Sequence, residues 1–302
     1  MISAIVPTYH RPASLRRLLE ALAQQTVRPD EVIVANAGEV PVPEVGSGLV
    51  VREVRCREAH AVRQRMAAIQ EARGDWLLLL DDDVVPETDC VRRLMEPLWG
   101  DSGLVATTAS FSNHDWSRPT WAWRAYLCWC YGVRRDEEVQ GRVLGPLLRF
   151  GYFDEEPGSV RPMEWLGAGN SCVRRSAFEA VGGFSDFFLH RSTLHEDVDL
   201  GLRLRRLGRI GLCRHAKMAH EQASSGRLDP ALVAEDDLYN RFQVLHRTMG
   251  LSRQEALGLV RVYDWVEGIS HVVGRGLWRD PKLVAARWLG RRRAWRRLKE
   301  GE

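Results

Sequence analysis

Five apolar residues, Trp76-Leu77-Leu78-Leu79-Leu80, run directly into three consecutive carboxylates, Asp81-Asp82-Asp83, and Pro86 follows two valines later. A short apolar run bounded by turn signals reads as a strand buried on both faces, which requires a mostly parallel sheet with helices on either side. The acids then stand at the carboxyl end of that strand. In open α/β sheets this edge is where ligands bind, and adjacent like charges there are costly unless a cation offsets them. A divalent metal with oxygen ligands, Mg²⁺ or Mn²⁺, is the natural cation, because such ions keep positions open for substrate phosphates. The competing reading is a solvated acidic turn, which suits an isolated acid pair better than a triplet behind a buried strand.

The rest of the chain supplies the elements this strand needs. Ile2 to Val6 reads as a first strand, followed by the loop Pro7-Thr8-Tyr9-His10-Arg11-Pro12. Leu15, Leu18, Leu19 and Leu22 recur at helical spacing and form one apolar stripe. Glu31 to Val34 and Leu49 to Val54 read as further strands, Ala59 to Ala72 as a helix closed by Gly74 near its C-cap, Thr88 to Leu98 as a helix and Leu104 to Thr108 as a strand. This alternation specifies a doubly wound α/β domain whose functional loops converge on one sheet edge. Between Trp116 and Tyr131 six aromatics crowd together, read as an aromatic helix that is either core or an acceptor platform; Gly132 to Pro162 reads as a long mobile loop. The segment His195-Glu196-Asp197-Val198-Asp199 opens a helix with Leu200, Leu204 and Leu207 on one face and Gly208 at its end. Acids in a first helical turn suit the macrodipole, yet three acids and a histidine exceed what capping needs.

Composition narrows the class. A chain of 302 residues with 45% hydrophobic and 27% charged residues has ample core for one large or two smaller domains and no disorder signature. Met1 leads straight into an apolar strand without a basic leader, and no segment reaches the about 20 apolar residues of a membrane span, so a cytoplasmic protein is expected. The six cysteines lack paired spacing, which indicates neither a zinc site nor a disulfide framework.

Four motifs in order, Pro7-Thr8-Tyr9-His10-Arg11-Pro12, Ala72-Arg73-Gly74-Asp75 leading into Leu80-Asp81-Asp82-Asp83, Gly182-Gly183-Phe184, and Glu196-Asp197-Val198-Asp199-Leu200, resemble those of family 2 glycosyltransferases over about residues 2 to 220. The resemblance implies a GT-A fold, with residues 1–100 as the nucleotide-sugar half, 101–225 as the acceptor and catalytic half and 226–302 as a C-terminal helical region. It implies sugar transfer with inversion from a nucleotide-diphosphate donor (UDP-, dTDP- or GDP-linked), with Mn²⁺ or Mg²⁺ as cofactor; the acid triplet, the Glu196-Asp197 helix start and the basic tail together lead us to expect a lipid-linked or polysaccharide hydroxyl as acceptor. In that scheme Asp83 binds the metal, with Asp81 or Asp82 toward the ribose. Asp197 is the base and Glu196 its neighbour, orienting an acceptor hydroxyl or holding a loop. His220 completes the metal shell, with His215 a weaker rival. Pro7, Thr8, Tyr9 and Arg11 frame the nucleotide, Arg63 lies near the diphosphate with Arg65 a surface partner, and Trp165, Gly167 and Asn170 border the acceptor. The family's aspartate at the end of the second strand is replaced here by Ala35-Asn36; Asn36 remains able to read a pyrimidine edge as donor and acceptor. The alternatives are the same chemistry on a soluble natural-product acceptor, a non-catalytic nucleotide- or saccharide-binding domain, and a nucleotidyltransferase.

The tail is the basic part of the chain. From Pro281 a helix places Val284, Trp288, Trp295 and Leu298 on one side, with Arg287, Arg291, Arg292, Arg293, Arg296, Arg297 and Lys299 elsewhere. Such a helix over 281–299 fits peripheral contact with the anionic inner membrane face. Packing of the tryptophans on the protein competes with that reading. Nucleic acid is not expected as a partner, because no recognised binding module precedes the tail.

Overall fold

The structure, a computed structural model, describes residues 1–46, 48–114, 116–153, 160–189, 193–221, 229–269 and 280–300. Residues 270–279, which precede the basic helix, and part of the expected Gly132 to Pro162 loop lie outside these residues. The chain forms two compact units: Met1–Asp115 with Glu155–Leu189 and Glu196–Gly226, and Trp116–Asp154 with His190–His195 and Arg227–Glu302. Neither unit is one continuous stretch.

The first unit is built on a mixed, mostly parallel sheet. Strands β1 (Ile2–Thr8), β2 (Glu31–Asn36), β3 (Val51–Arg55), β4 (Trp76–Leu80), β6 (Leu104–Phe111) and β11 (Arg209–His220) all run one way. Three strands run against them: β5 (Val84–Pro86), β9 (Arg161–Met163) and β10 (Asn170–Arg174). The order is β3-β2-β1-β4-β10-β6-β11-β5, with β9 also on β11. Helices α1 (Pro12–Ala23), α2 (Ala61–Glu71), α3 (Cys90–Gly100), α5 (Arg175–Ala180) and α6 (Glu196–Leu204) complete the unit. Leu77 to Leu80 are buried, as a central strand in such a sheet demands, and the α1 stripe Leu15, Leu18, Leu19 and Leu22 packs into the same core.

Several local expectations are corrected. Gly74 does not cap α2, whose C-cap is the extended Ala72. A Cβ at Gly74 would instead stand 2.6 Å from Ser3 Oγ and 2.7 Å from its backbone nitrogen, so the glycine lets the chain pass against β1. Leu207 does not join Leu200 and Leu204 inside: α6 ends at Leu204 and Leu207 is exposed.

The second unit holds helices α4 (Trp121–Tyr131), α7 (Pro230–Gln243), α8 (Arg253–Ile269) and α9 (Pro281–Glu300). The region after α4 is not a plain loop. It contains a 3₁₀ turn at Asp136–Val139 and a hairpin of β7 (Val143–Leu144) and β8 (Leu148–Arg149). Leu127, Val139, Leu144 and Phe150 bury themselves in a small separate core. The aromatics of α4 divide between the two readings: Trp123 is buried and stacks on Tyr263, whereas Trp121 and Trp129 are exposed. Helix α9 likewise splits its expected stripe. Leu298 is buried and Trp295 donates from Nε1 to Asp264 at 2.8 Å, while Val284 and Trp288 stay outside. Among the described residues no helix is long and apolar enough to cross a membrane.

Candidate active site

Because β1, β2, β4, β6 and β11 are parallel, their carboxyl ends meet at one edge of the sheet, and the antiparallel β10 begins there, with Asn170 opposite Leu80. The acid triplet leaves β4 at this edge. After it the chain turns back as β5 and pairs antiparallel with the end of β11, matching Val84 to His220. Glu221 N donates to the Asp83 carbonyl at 2.9 Å, closing the same ladder. This pairing brings a histidine 137 positions away in sequence onto the acids: His220 Nε2 is 3.2 Å from Asp83 Oδ1. One ligand atom from each of Asp81, Asp83 and His220 falls within 4.8 Å of the others. Two carboxylates and an imidazole match the donor preference of Mn²⁺ and accept Mg²⁺ through oxygen, so the residues fit a divalent ion. Asp81, read from the sequence as a nucleotide-side acid, lies in this cluster. His215 is outside it; its carbonyl accepts from Arg93.

The three acids have separate partners. Asp82 is buried and faces inward, accepting from Thr8 Oγ1 at 2.7 Å and from Arg11 Nη1 at 3.0 Å. Burial raises its pKa, and the Thr8 and Arg11 contacts oppose that rise. Arg11 also reaches Asp83 Oδ2 at 3.2 Å, so one guanidinium ties the first loop to two acids. Asp81 pairs with Arg65 Nη2 at 2.5 Å. Gly169 sits against this carboxylate, where a Cβ would meet Asp81 Oδ2 at 2.1 Å; only glycine lets β10 start this close. Hydrogen bonding to Asp83 raises the His220 pKa.

Arg65 differs from its expected surface position. It is no surface partner but is 3% exposed, and its Nη1 also lies 3.3 Å from Glu196 Oε1. It therefore joins the acid edge to the start of α6. The signal was present: Val62, Arg65 and Ile69 follow helical spacing, so Arg65 occupies the inward stripe of α2. Arg63, in contrast, is exposed, pairing with Glu58 and donating to the Leu189 carbonyl. Burial, with the neighbouring Asp197 carboxylate, pushes Glu196 up to about 8, against the pull of Arg65. Asp197 is half-buried and accepts from Val198 N at 2.8 Å.

A small cleft beside the acids is lined by Thr8, His10, Arg11, Asn36, Gly38, Val40 and Pro41. Asn36 shapes it. Its Nδ2 donates to the Val40 carbonyl at 2.8 Å and to Glu53 at 2.9 Å, and its Oδ1 accepts from Gly38 N at 2.8 Å. Both amide hydrogens are thus committed, which leaves Asn36 no donor for a pyrimidine edge. Gln64 fastens the floor by donating to the Thr8 and Ala35 carbonyls at 2.8 and 2.7 Å. Pro7 is inside the β1–β2 ladder, and Tyr9 stands exposed against the His10 ring. On the other side of the acids Trp165 is buried beneath α6, where a Cβ on Gly201 would meet its Cα at 2.6 Å. Gly167 leaves room for the Asn170 side chain, which donates to the Ala109 carbonyl at 2.7 Å.

In the second unit a buried group stands immediately before Glu196. His195 adopts φ 74°, its Nε2 lies 2.7 Å from Asp237 Oδ1, and Asn240 donates to the Leu194 carbonyl at 3.0 Å. Arg241 pairs with Asp237 at 2.8 Å and lies 3.5 Å over the Tyr263 ring. Burial and the nearby Arg241 lower the His195 pKa. Burial would raise Asp237, but Arg241 and His195 hold it well below the usual carboxylate range. Of this group the sequence marked only His195, beside the acids of α6; its partners lie on α7 and α8, at spacings no local motif records.

Comparison with known proteins agrees with this geometry. The Glycosyl transferase family 2 pattern matches residues 3–159, just over half of the chain. The N-acetylglucosaminyl-diphospho-decaprenol L-rhamnosyltransferase of Mycobacterium tuberculosis (strain CDC 1551 / Oshkosh) is 43% identical over 263 residues, 76% of this chain and 79% of that protein. The uncharacterized glycosyltransferase YwdF of Bacillus subtilis (strain 168) is 38% identical over 86 residues, 27% of this chain, which spans about a third of that relative (32%). The fold resembles that of GalNAc-T7 crystallised with UDP, GalNAc and Mn²⁺, with a TM-score of 0.59 at 11% identity, covering 92% of this chain and 57% of that one. The chain belongs to glycosyl transferase family 2 and carries the GT-A fold.

Proposed function

We propose that this chain is a metal-dependent, inverting transferase that moves a sugar from a nucleotide-diphosphate donor to a hydroxyl of a lipid-linked or polysaccharide acceptor. The observation that carries the reading is the convergence of Asp81, Asp83 and His220 beside the Thr8–Arg11 cleft, with Glu196-Asp197 joined to the same acids through Arg65. The cleft takes the nucleoside, and Asp81, Asp83 and His220 are the residues that would hold the divalent cation. When bound, that cation neutralises charge developing on the departing diphosphate. Asp197 takes the proton of the acceptor hydroxyl while its oxygen forms a bond to the anomeric carbon and the carbon–oxygen bond to the diphosphate breaks. Arg65 positions both ends of this reaction line. It holds Asp81 and Glu196, and Glu196 precedes the base in the first turn of α6. A lipid-linked diphosphate acceptor and a deoxyhexose donor gain support from the activity for which the M. tuberculosis relative is named.

The test is release of nucleoside diphosphate from a panel of UDP-, dTDP- and GDP-sugars with Mn²⁺ or Mg²⁺ and a polyprenyl-diphosphate saccharide. Acceptor-dependent release with one donor class supports the reading. Release of pyrophosphate, or no release with any donor, overturns it.

A further inference from the structure

Helices α8 and α9 lie antiparallel within the second unit. Arg253 donates to the Leu298 carbonyl, Arg261 lies over the Trp295 ring, Trp295 and Arg291 bond Asp264, and Gly268 meets Arg291. Each turns one face inward. Val260 and Tyr263 of α8 are buried, and Gly290, Ala294 and Leu298 of α9 are too; a Cβ on Gly290 would stand 2.0 Å from the Ala231 carbonyl of α7. The opposite faces are open. Toward the end where α8 finishes and α9 begins, Trp265 is 75% and Trp288 58% exposed, and Ile269 of α8 and Val284 and Leu289 of α9 are exposed too.

Along α9 the charges around Trp288 have one sign, while the acids near this end, Asp264, Glu267 and Asp280, accept from Trp295, Trp123 and the backbone of the first turn of α9. No acid occurs from Lys282 to Lys299. Arg291 and Arg297, which point inward, are paired with Asp264 and Glu235. Lys282, Arg287, Arg292, Arg293, Arg296 and Lys299 have no carboxylate partner among the described residues, and Arg292 lies 4.6 Å over the Trp288 ring. Exposed indoles rimmed by unpaired guanidiniums suit an interface that is apolar below and anionic above. A second copy of the chain is a poor occupant, since it would bring the same charges together.

We propose that this outer face of α8 and α9 docks on an anionic phospholipid bilayer, with Trp265 and Trp288 entering the headgroup layer and the unpaired cations meeting lipid phosphates. The surface is broader than the tail helix alone, because α8 supplies Trp265 and Ile269 while Trp295 and Leu298 are consumed inside. The inference does not rest on the chemistry proposed above.

Flotation of the full chain with phosphatidylcholine vesicles, with and without phosphatidylglycerol, tests it. The chain is expected to float only with the anionic vesicles and to dissociate as salt is raised. The double variant W265S/W288S, and separately R292Q/R296Q, should each lower the bound fraction by about tenfold or more with an unchanged melting temperature. Failure of the parent chain to float, or undiminished flotation of both variants, overturns the proposal. Duplex DNA binding as tight as vesicle binding, and retained by W265S/W288S, would also overturn it in favour of a nucleic-acid partner.

Discussion

Arginine does opposite work in two regions of this molecule. At the sheet edge each guanidinium is matched to acids at short range: Arg65 to Asp81 and Glu196, Arg11 to Asp82 and Asp83. On the outer face of α8 and α9 the cations are left without partners while Arg291 and Arg297, a few positions away, are paired inward. Buried charges have to be compensated locally, so the sheet edge is a fixed geometry suited to a small ligand of defined shape. Exposed, uncompensated charges act through their summed field, which suits a diffuse anionic surface.

Substitutions test that contrast. The largest effect is expected at the sheet edge: Asp197→Asn should lower transfer by about 10²–10⁴-fold, the usual contribution of a positioned base. Donor binding, measured by thermal shift with Mn²⁺, should remain. Next comes Arg65→Met, which removes the cation between Asp81 and Glu196 and should cost about 1–3 kcal/mol in denaturant unfolding, because Glu196 loses a buried hydrogen-bond partner while the 38% exposed Asp81 keeps water. Gly290→Ala is expected to cost about 1–3 kcal/mol, since the added methyl meets the Ala231 carbonyl at the α7–α9 crossing. This variant separates the packed side of α9 from its open side.

The histidines give a smaller, pH-dependent comparison. His195 is held neutral by burial and Arg241, so below about pH 6.5 the unfolded chain binds a proton that the folded chain refuses, and stability falls as pH drops. His195→Asn, compatible with the left-handed backbone there, should flatten the curve between about pH 6.5 and 5 by at most about 1.4 kcal/mol per unit. His220 is shifted the other way by Asp83: its contribution is complete below the unfolded value and is lost as pH rises through the raised one. A parallel change from His220→Asn and His195→Asn would refute the assignment. The smallest effect is expected on the open face, where Arg293→Gln should change stability by less than about 0.5 kcal/mol.

Much of this was legible in the sequence, for identifiable reasons. The apolar run before the acid triplet and the alternation of periods determined a mostly parallel sheet with the acids at its carboxyl edge, since both signals depend only on local spacing. The motifs around Pro7–Pro12, Asp81–Asp83 and Glu196–Asp197 were readable in the same way. Arg65 was half legible: its place on the inward stripe of α2 could be counted, but its two acids lie on other elements.

The pairing of distant segments came from long-range packing alone. The β5–β11 ladder seats His220 on Asp83; committed amide hydrogens turn Asn36 into a wall of the cleft; and packing against α7 and α8 selects which cations of α9 are paired. Helical and strand periodicity say which face of an element turns inward. They do not say which neighbour it meets, because that depends on long-range pairings whose partners leave no mark on local spacing.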